Sequence, residues 1–276
     1  LSYLMGMQRT PAARDHPSIL PLYGGGFWVA LLQLTVFYYA VGAVLHFLLP
    51  RIAPVKQIQH QPRKRGDVLR DAFYSLGPLA VKAVVWAIVE VLHKRDLGLT
   101  YGGQVSSLAE VSYCCLCIAL LDYLHDTWFY WTHRLLHWGP LYRHVHYIHH
   151  KSKAPSAFTG YSFHLIEAAI VFANEILVCF LFPMHMSLHR LYHLYTTLIH
   201  EGGHVGYELA PFIPTLEGLV TLAVRGRSRA PWLNTVQHHD MHHRYPTRHF
   251  SLYFTHWDRL CGTLHPSYDK DLFSYY

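Results

Sequence analysis

The chain has 276 residues, 51% of them apolar and 14% charged, well under the roughly 25% charged residues of a soluble domain. That leaves too little polar surface to cover a globule in water. The formal net charge of +6 comes without a basic stripe interleaved with aromatics, which argues against a nucleic-acid binder and fits basic loops facing anionic lipid headgroups.

From His16 to Pro50 there is no Asp, Glu, Lys or Arg, and the segment near 26–50 exceeds the ~20 residues a spanning helix needs. It lacks the basic lead-in and small-residue cleavage site of a signal peptide. Arg51, Lys56, Arg63, Lys64, Arg65 and Arg70 then stand against one acid, Asp67, which places this loop on the cytoplasmic face by the positive-inside rule. A second span is expected near 71–93, with Lys82 and Glu90 inside it, and a third near 108–131, which turns polar halfway. A helical hairpin over 163–200, turning at Phe182–Met186, carries Glu167 and Glu175. Ionisable groups at such depth face a bundle interior or a polar cavity. With no linker and no internal repeat, residues 1–276 read as one all-α, polytopic membrane domain of four or five spans, its histidine clusters at the cytoplasmic boundary. Of the five cysteines, Cys114, Cys115, Cys117 and Cys179 fall within expected spans, where small apolar packing explains them.

Histidine is the outlier, at 24 of 276 residues. Four subsets recur at helical spacing: His133 and His137; His146, His149 and His150; His200 and His204; His239, His242 and His243. Residues i, i+3 and i+4 share a helix face, so each subset aims its imidazoles at one point. Ten ligands exceed the three or four that one zinc takes, which suggests two metals. His238 falls outside the pattern. Lone histidines such as His46, His60 and His93 read as interfacial or hydrogen-bonded residues; His125, His144, His164, His185, His189 and His193 stay open, with His164 the strongest of them for its closeness to Glu167.

Imidazole suits zinc, copper, nickel and iron. A redox pair at a membrane surface would activate dioxygen and attack an unactivated C–H bond, so iron is favoured. Asp126, Glu167, Glu201 and Asp240 are candidates for orienting the ligands.

The segments DTWFYWTHRLLH, LYRHVHYIHHKSKAPSAFTGYSFHLIEA, HEGGHVGYELAPF, QHHDMHH and LYFTHWDRLCGTLHP, which follow in order within residues 122–266, resemble the fatty acid hydroxylase superfamily, and within it the sterol desaturase family of integral-membrane non-haem di-iron oxygenases. The resemblance implies a membrane helical bundle with a cytoplasmic helical cap, and two non-haem irons held by the ten histidines named above. It further implies dioxygen as co-substrate, and electrons from a separate carrier such as cytochrome b5 with NAD(P)H, since no HPGG haem motif is present. Expected partners are a sterol or other membrane lipid and that carrier, and the expected location is the endoplasmic reticulum membrane if the cell is eukaryotic. The chain departs from the family in HLIE (His164–Glu167), in Arg248–Phe250 and in Cys261–Thr263, changes that bear on substrate rather than metal.

The expected activity is therefore hydroxylation or desaturation of a lipid C–H bond, with fatty acyl or sphingolipid hydroxylation as the alternative within the superfamily. From another class, HEGGH (His200–His204) satisfies the HExxH pattern of a zinc peptidase with Glu201 as base, but paired glycines make a poor helix interior and eight patterned histidines would be idle. A scaffold that has lost activity, or a haem electron carrier, fits the full set of boxes less well still.

Overall fold

The computed structural model describes residues 22–273 apart from 60 and 227–229; His60 and the start of the uncharged N-terminal run lie outside the described residues. Among the described residues three helices are long and apolar enough to cross a membrane: Gly26–Ile52, Asp67–Lys94 and Leu108–Leu136. Each is longer than expected, because the helical hydrogen-bond ladder runs on into the polar boundary. The first widens into a π-turn at Val44–Leu48 just before Pro50, where proline removes a backbone donor from the ladder. The third starts at a capping box: Ser107 Oγ accepts the Glu110 amide, and Glu110 Oε2 accepts the Ser107 amide.

Outward faces of these helices are strongly apolar. Trp28 is 76% exposed, Leu32 64% and Leu116 53%, a belt that would be an aggregation patch in water and is satisfied by lipid. Inward faces of the first two spans share a core of Ala30, Leu34, Tyr38, Leu79, Ala83 and Trp86 with Phe158, Tyr161 and Phe172 from later in the chain.

The segment expected as a hairpin is broken on its first leg, into Leu165–Phe172, Asn174–Leu177 and a 3-10 turn at Val178–Phe180, and returns as Met186–Gly202. At the turn, Met184–His185 pairs in parallel with Thr100–Tyr101. Each leg buries one face in the bundle, where Glu175 and Arg190 meet partners from the second span. Glu175 accepts from Lys82 Nζ at 2.7 Å and from Trp86 Nε1 at 2.9 Å. Arg190 reaches the Trp86 carbonyl at 2.6 Å and Glu90 at 3.4 Å.

Beyond the spans, the cap packs Ile58, Phe129, Ile199, Val205, Phe212, Leu233, Val236 and Phe254 into a second core. The basic loop between the first two spans is stitched onto this cap. Lys56–Gln57 pairs antiparallel with Tyr207–Glu208, and Arg63 donates to the carbonyls of Pro155 at 2.9 Å and Val205 at 2.8 Å. The loop and the histidine segments are thereby on the same side of the bundle.

Candidate metal centre

The four histidine segments take four local forms. His133 lies in the last turn of the third span and His137 is its C-cap. His146, His149 and His150 lie on a 3-10 turn, His146–Lys151, rather than an α-helix. The Met186–Gly202 helix carries His200 in its last turn and ends before His204. Val236–Arg244 carries His239, His242 and His243, and starts at Thr235, whose hydroxyl accepts the His238 amide.

Tertiary packing sorts these side chains into two groups that cut across the segments. His133, His137, His146, His150 and His242 form one, and His149, His204, His239 and His243 the other; within each, one ligand atom per residue lies within 4.8 Å of all the rest. Nine of the ten expected histidines are thus brought together. His200 belongs to neither group: its Nδ1 donates to the Thr196 carbonyl at 2.8 Å, and its Nε2 has no partner.

In the first group, Nε2 of His150 is 3.3 Å from that of His137 and 3.2 Å from that of His146, and Nε2 of His242 is 3.1 Å from those of both His137 and His150. In the second, Nε2 of His204 is 3.2 Å from that of His149 and 2.8 Å from that of His239. Meanwhile the far nitrogens of several rings already donate. His133 Nδ1 donates to Phe250 O at 3.0 Å, His242 Nδ1 to Arg248 O at 2.7 Å, His204 Nδ1 to His200 O, and His146 Nδ1 to Glu167 Oε1 at 2.8 Å. A neutral imidazole with a protonated Nδ1 carries a lone pair on Nε2. Lone pairs therefore converge on one another.

Protonation does not relieve the conflict. Burial, then the neighbouring imidazoles, hold His137, His146, His150, His239, His242 and His243 below the usual histidine range. His149 is lowered the same way, and burial brings His204 to about 4. Converging lone pairs on uncharged rings are stabilised by a cation at their focus. Nitrogen separations near 3 Å fit two ligands about 2.1 Å from one ion. The residues present fit a metal in each group.

The surrounding shell differs from the expectation drawn for it. Glu167 does orient a ligand, His146. Asp126 acts through backbone, accepting the amides of Leu252 and Tyr253 at 2.9 and 2.7 Å. Asp240 instead pairs with Arg244, and Glu201 points toward Gly42 on the first span, away from both groups. His164 caps the Leu165–Phe172 helix, accepting the Ile166 amide at 3.1 Å. His185 caps the next helix, His125 meets Asn174 at 2.8 Å, and His189 donates to the Glu175 carbonyl. His193 lies 3.7 Å from the Glu175 carboxylate, and His144 is exposed.

Asp258 was not foreseen. Completely buried, it accepts the amides of Phe250 and Ser251, both at 2.9 Å, and the Thr263 hydroxyl at 2.6 Å, with His238 Nε2 3.2 Å away. Asp258 and Asp126 thus clamp the stretch 248–253, whose carbonyls at Arg248 and Phe250 orient His242 and His133. The signal available in sequence was only an acid in the closing motif. Gly262, at φ 65°, makes the left-handed turn that returns Thr263 to Asp258.

Both histidine groups border one narrow cavity, lined by Phe129, Leu136, Phe163 and Val171 on its apolar wall and by His133, His146, His149, His200, His204, His239 and Glu167 on its polar wall. Its floor requires Gly160, since a Cβ there would lie 2.9 Å from the His200 backbone.

The comparisons with known proteins agree with this geometry. The fatty acid hydroxylase family model matches residues 118–263. Lathosterol oxidase of Rattus norvegicus is 30% identical over 234 residues, covering 81% of this chain and 72% of that protein. The Delta(7)-sterol 5(6)-desaturase of Gibberella zeae is 25% identical over 276 residues, covering 95% and 73%. C-4 methylsterol oxidase of Schizosaccharomyces pombe is 30% identical over 156 residues, covering 53% and 46%. No solved structure matches. With two histidine groups at the end of a membrane-spanning bundle and the family match running through all four histidine segments, the chain belongs to the fatty acid hydroxylase family of non-haem iron oxidoreductases.

Proposed function

We propose that the chain hydroxylates or desaturates a C–H bond of a membrane sterol, with one iron in each histidine group. The observation that carries the reading is the single cavity touched by both groups and walled on its other side by apolar side chains. A hydrocarbon centre placed there is close to both candidate metal sites and shielded from water. The sterol assignment is supported by the names of the relatives, which act on lathosterol, Delta(7)-sterols and methylsterols. Fatty acyl and sphingolipid chains are the alternative within the family.

Bound iron would supply the redox chemistry that activates dioxygen, which no acid or base does. The balance for hydroxylation is R–H + O2 + 2 e⁻ + 2 H⁺ → R–OH + H2O; for desaturation two hydrogens leave and two waters form. The protein's share is positional. Carbonyls of Arg248, Phe250 and His200 and the carboxylate of Glu167 fix which nitrogen of His242, His133, His204 and His146 faces the focus. Phe129, Leu136, Phe163 and Val171 exclude water and hold the hydrocarbon. His200, on the cavity wall with a free Nε2, is an additional ligand in this reading. In this reading the electrons come from a separate carrier protein and the site faces the cytoplasm, in the endoplasmic reticulum membrane if the cell is eukaryotic, an orientation that the basic loop supports.

A zinc peptidase at HEGGH fits less well, because His200 and His204 do not share a group and Glu201 faces the first span. The test is purification in detergent, iron content by mass spectrometry, and incubation with a panel of sterols, fatty acyl and sphingolipid substrates under oxygen with a reductant. About two irons per chain and a sterol gaining one oxygen or losing two hydrogens is the expected result. Turnover of acyl chains alone moves the substrate to the alternative, and one zinc with peptide cleavage overturns the reading.

A further inference from the structure

The glycine pair of HEGGH is a motif that the proposed chemistry leaves unexplained. Gly203 is held by packing, since a Cβ there would lie 3.3 Å from the Ile199 carbonyl, but a Cβ on Gly202 would meet nothing within 4 Å. Glycine is a weaker helix former than alanine, and neither a positive φ nor a close neighbour requires it at 202. Gly202 leaves space open.

That space belongs to a pocket between the end of the first span and the cap, walled among others by Leu45, Leu49, Ile199, Gly202, Phe212 and Pro214. Only two side chains of its lining are polar, and both are engaged: Tyr207 Oη donates to the Leu45 carbonyl at 2.6 Å, and Glu208 accepts the Gln237 amide at 2.8 Å. The walls therefore suit hydrocarbon. The pocket is roomier than the histidine-bordered cavity and adjoins it in the chain, since Ile199 walls one and His200 the other.

The flanks of the pocket continue the lipid-facing belt. Leu45 and Leu49 lie in the last turns of the first span, beside exposed Val44, Phe47 and Leu48. On the other flank, Pro214 leads into the helix Leu216–Arg225, which exposes Leu219, Val220 and Val224. The Leu216 amide donates to Asp122 Oδ2 of the third span at 3.0 Å. Asp122 is roughly 22 Å along that span from its Ser107 cap at 1.5 Å per residue, within the ~30 Å hydrocarbon thickness. The start of this helix is thus at lipid depth.

Resting on the sterol oxygenase reading, we propose that this pocket binds a sterol drawn from the bilayer, its hydrocarbon end lodged against Gly202, before the reacting carbon reaches the histidine-bordered cavity. Ile199 and Val236 of the pocket wall belong to the same apolar core as Phe129 of the cavity wall, so a hydrocarbon passing between them meets apolar side chains. A phospholipid is the weaker fit, because its phosphate would meet no cation in the lining.

The experiment uses the full chain in phosphatidylcholine nanodiscs, with a cholesterol probe carrying a diazirine on its aliphatic tail. After illumination, labelled residues are mapped by peptide mass spectrometry. Label is expected on Leu45, Leu49 and the 205–214 stretch, displaced by excess unlabelled cholesterol. Gly202→Leu fills the pocket from the helix side and Leu49→Trp from the first span, which carries none of the iron-group histidines; each should cut this label by about tenfold or more. Gly202→Ala, which adds one methyl in open space, should keep most of it. Undiminished label in both filling variants, with folding and iron content retained, overturns the proposal. So does label confined to outer faces such as Leu32 and Leu116, or equal labelling of the pocket by a phosphatidylcholine probe with the diazirine in its acyl chain. Because labelling is read without turnover, failure of the oxygenase reading shows separately, as absent iron or absent oxygen uptake in the wild-type chain.

Discussion

Two buried polar clusters sit end to end in this molecule, and they are built on opposite principles. Within the bundle, Lys82 and Trp86 donate to the Glu175 carboxylate and Lys82 also to the Tyr161 hydroxyl, so in this set of four, donors meet acceptors and the cation meets a carboxylate. At the cap, nine imidazoles converge, and in four of them, His133, His146, His204 and His242, the outer nitrogen already donates while the inner one faces the group. The first cluster is balanced by itself, whereas the second is complete only around cations. Burial and polarity alone therefore do not mark a functional site; the imbalance of donors and acceptors does.

The comparison is broken most severely at the metal groups. His242→Ala or His149→Ala, each removing one inner nitrogen, is expected to lower turnover by about a thousandfold or more, with iron per chain reduced in mass spectrometry and membrane insertion unaffected. His146→Ala should behave alike. If any two of these variants kept full activity, the iron assignment would fall.

In the balanced cluster the loss should appear as stability instead. Glu175→Ala leaves Lys82 buried and unpaired, a cost of roughly 3–5 kcal/mol, read as a lower unfolding temperature in detergent. The protein that remains folded should carry normal iron.

Asp258→Asn tests the link between carboxylate, backbone and ligand. Loosening the 248–253 stretch should weaken iron binding by about 10–100-fold, the usual range for an outer-shell partner, measured by competition with a chelator. Unaltered iron affinity would show that the stretch is held by Asp126 alone.

The smallest effect is expected at Glu208, which accepts the Gln237 amide at 2.8 Å at the start of the histidine helix. Burial pushes its carboxyl up to about 7. A carboxyl with a raised folded-state pKa binds its proton more tightly in the folded state, so its contribution to stability falls as pH rises from the ordinary glutamate range to about 7. Glu208→Gln removes that loss. The unfolding temperature of the variant relative to wild type should rise between pH 5 and pH 8, and a difference that stays flat would contradict the shift.

Much of this was legible in the chain itself. Apolar runs defined the three spans because a membrane imposes length and composition on every helix that crosses it. The histidine boxes were legible because helical spacing is a local rule. What the spacing could not convey was the partition, in which His149 and His150, adjacent in sequence, serve different groups. On a helix each step of one residue rotates a side chain by about 100°, and on a 3-10 turn by about 120°, so neighbours diverge. Their destinations depend on where third-span, 3-10 and C-terminal segments meet. His200 shows the same limit. Its spacing to His204 is helical, but the helix ends between them and only His204 reaches a group.

Sequence alone determined that this is a membrane-spanning, histidine-rich oxidoreductase of its family, since apolarity, composition and motif order are written residue by residue. Tertiary structure decided which histidines act together, that Asp258 and Asp126 hold the backbone that aims two of them, and that the basic loop roofs the site. Several of those contacts join distant parts of the chain, as Asp126 does with Leu252 and Lys56 with Glu208, and they are fixed by packing of the cap against the bundle rather than by any local pattern.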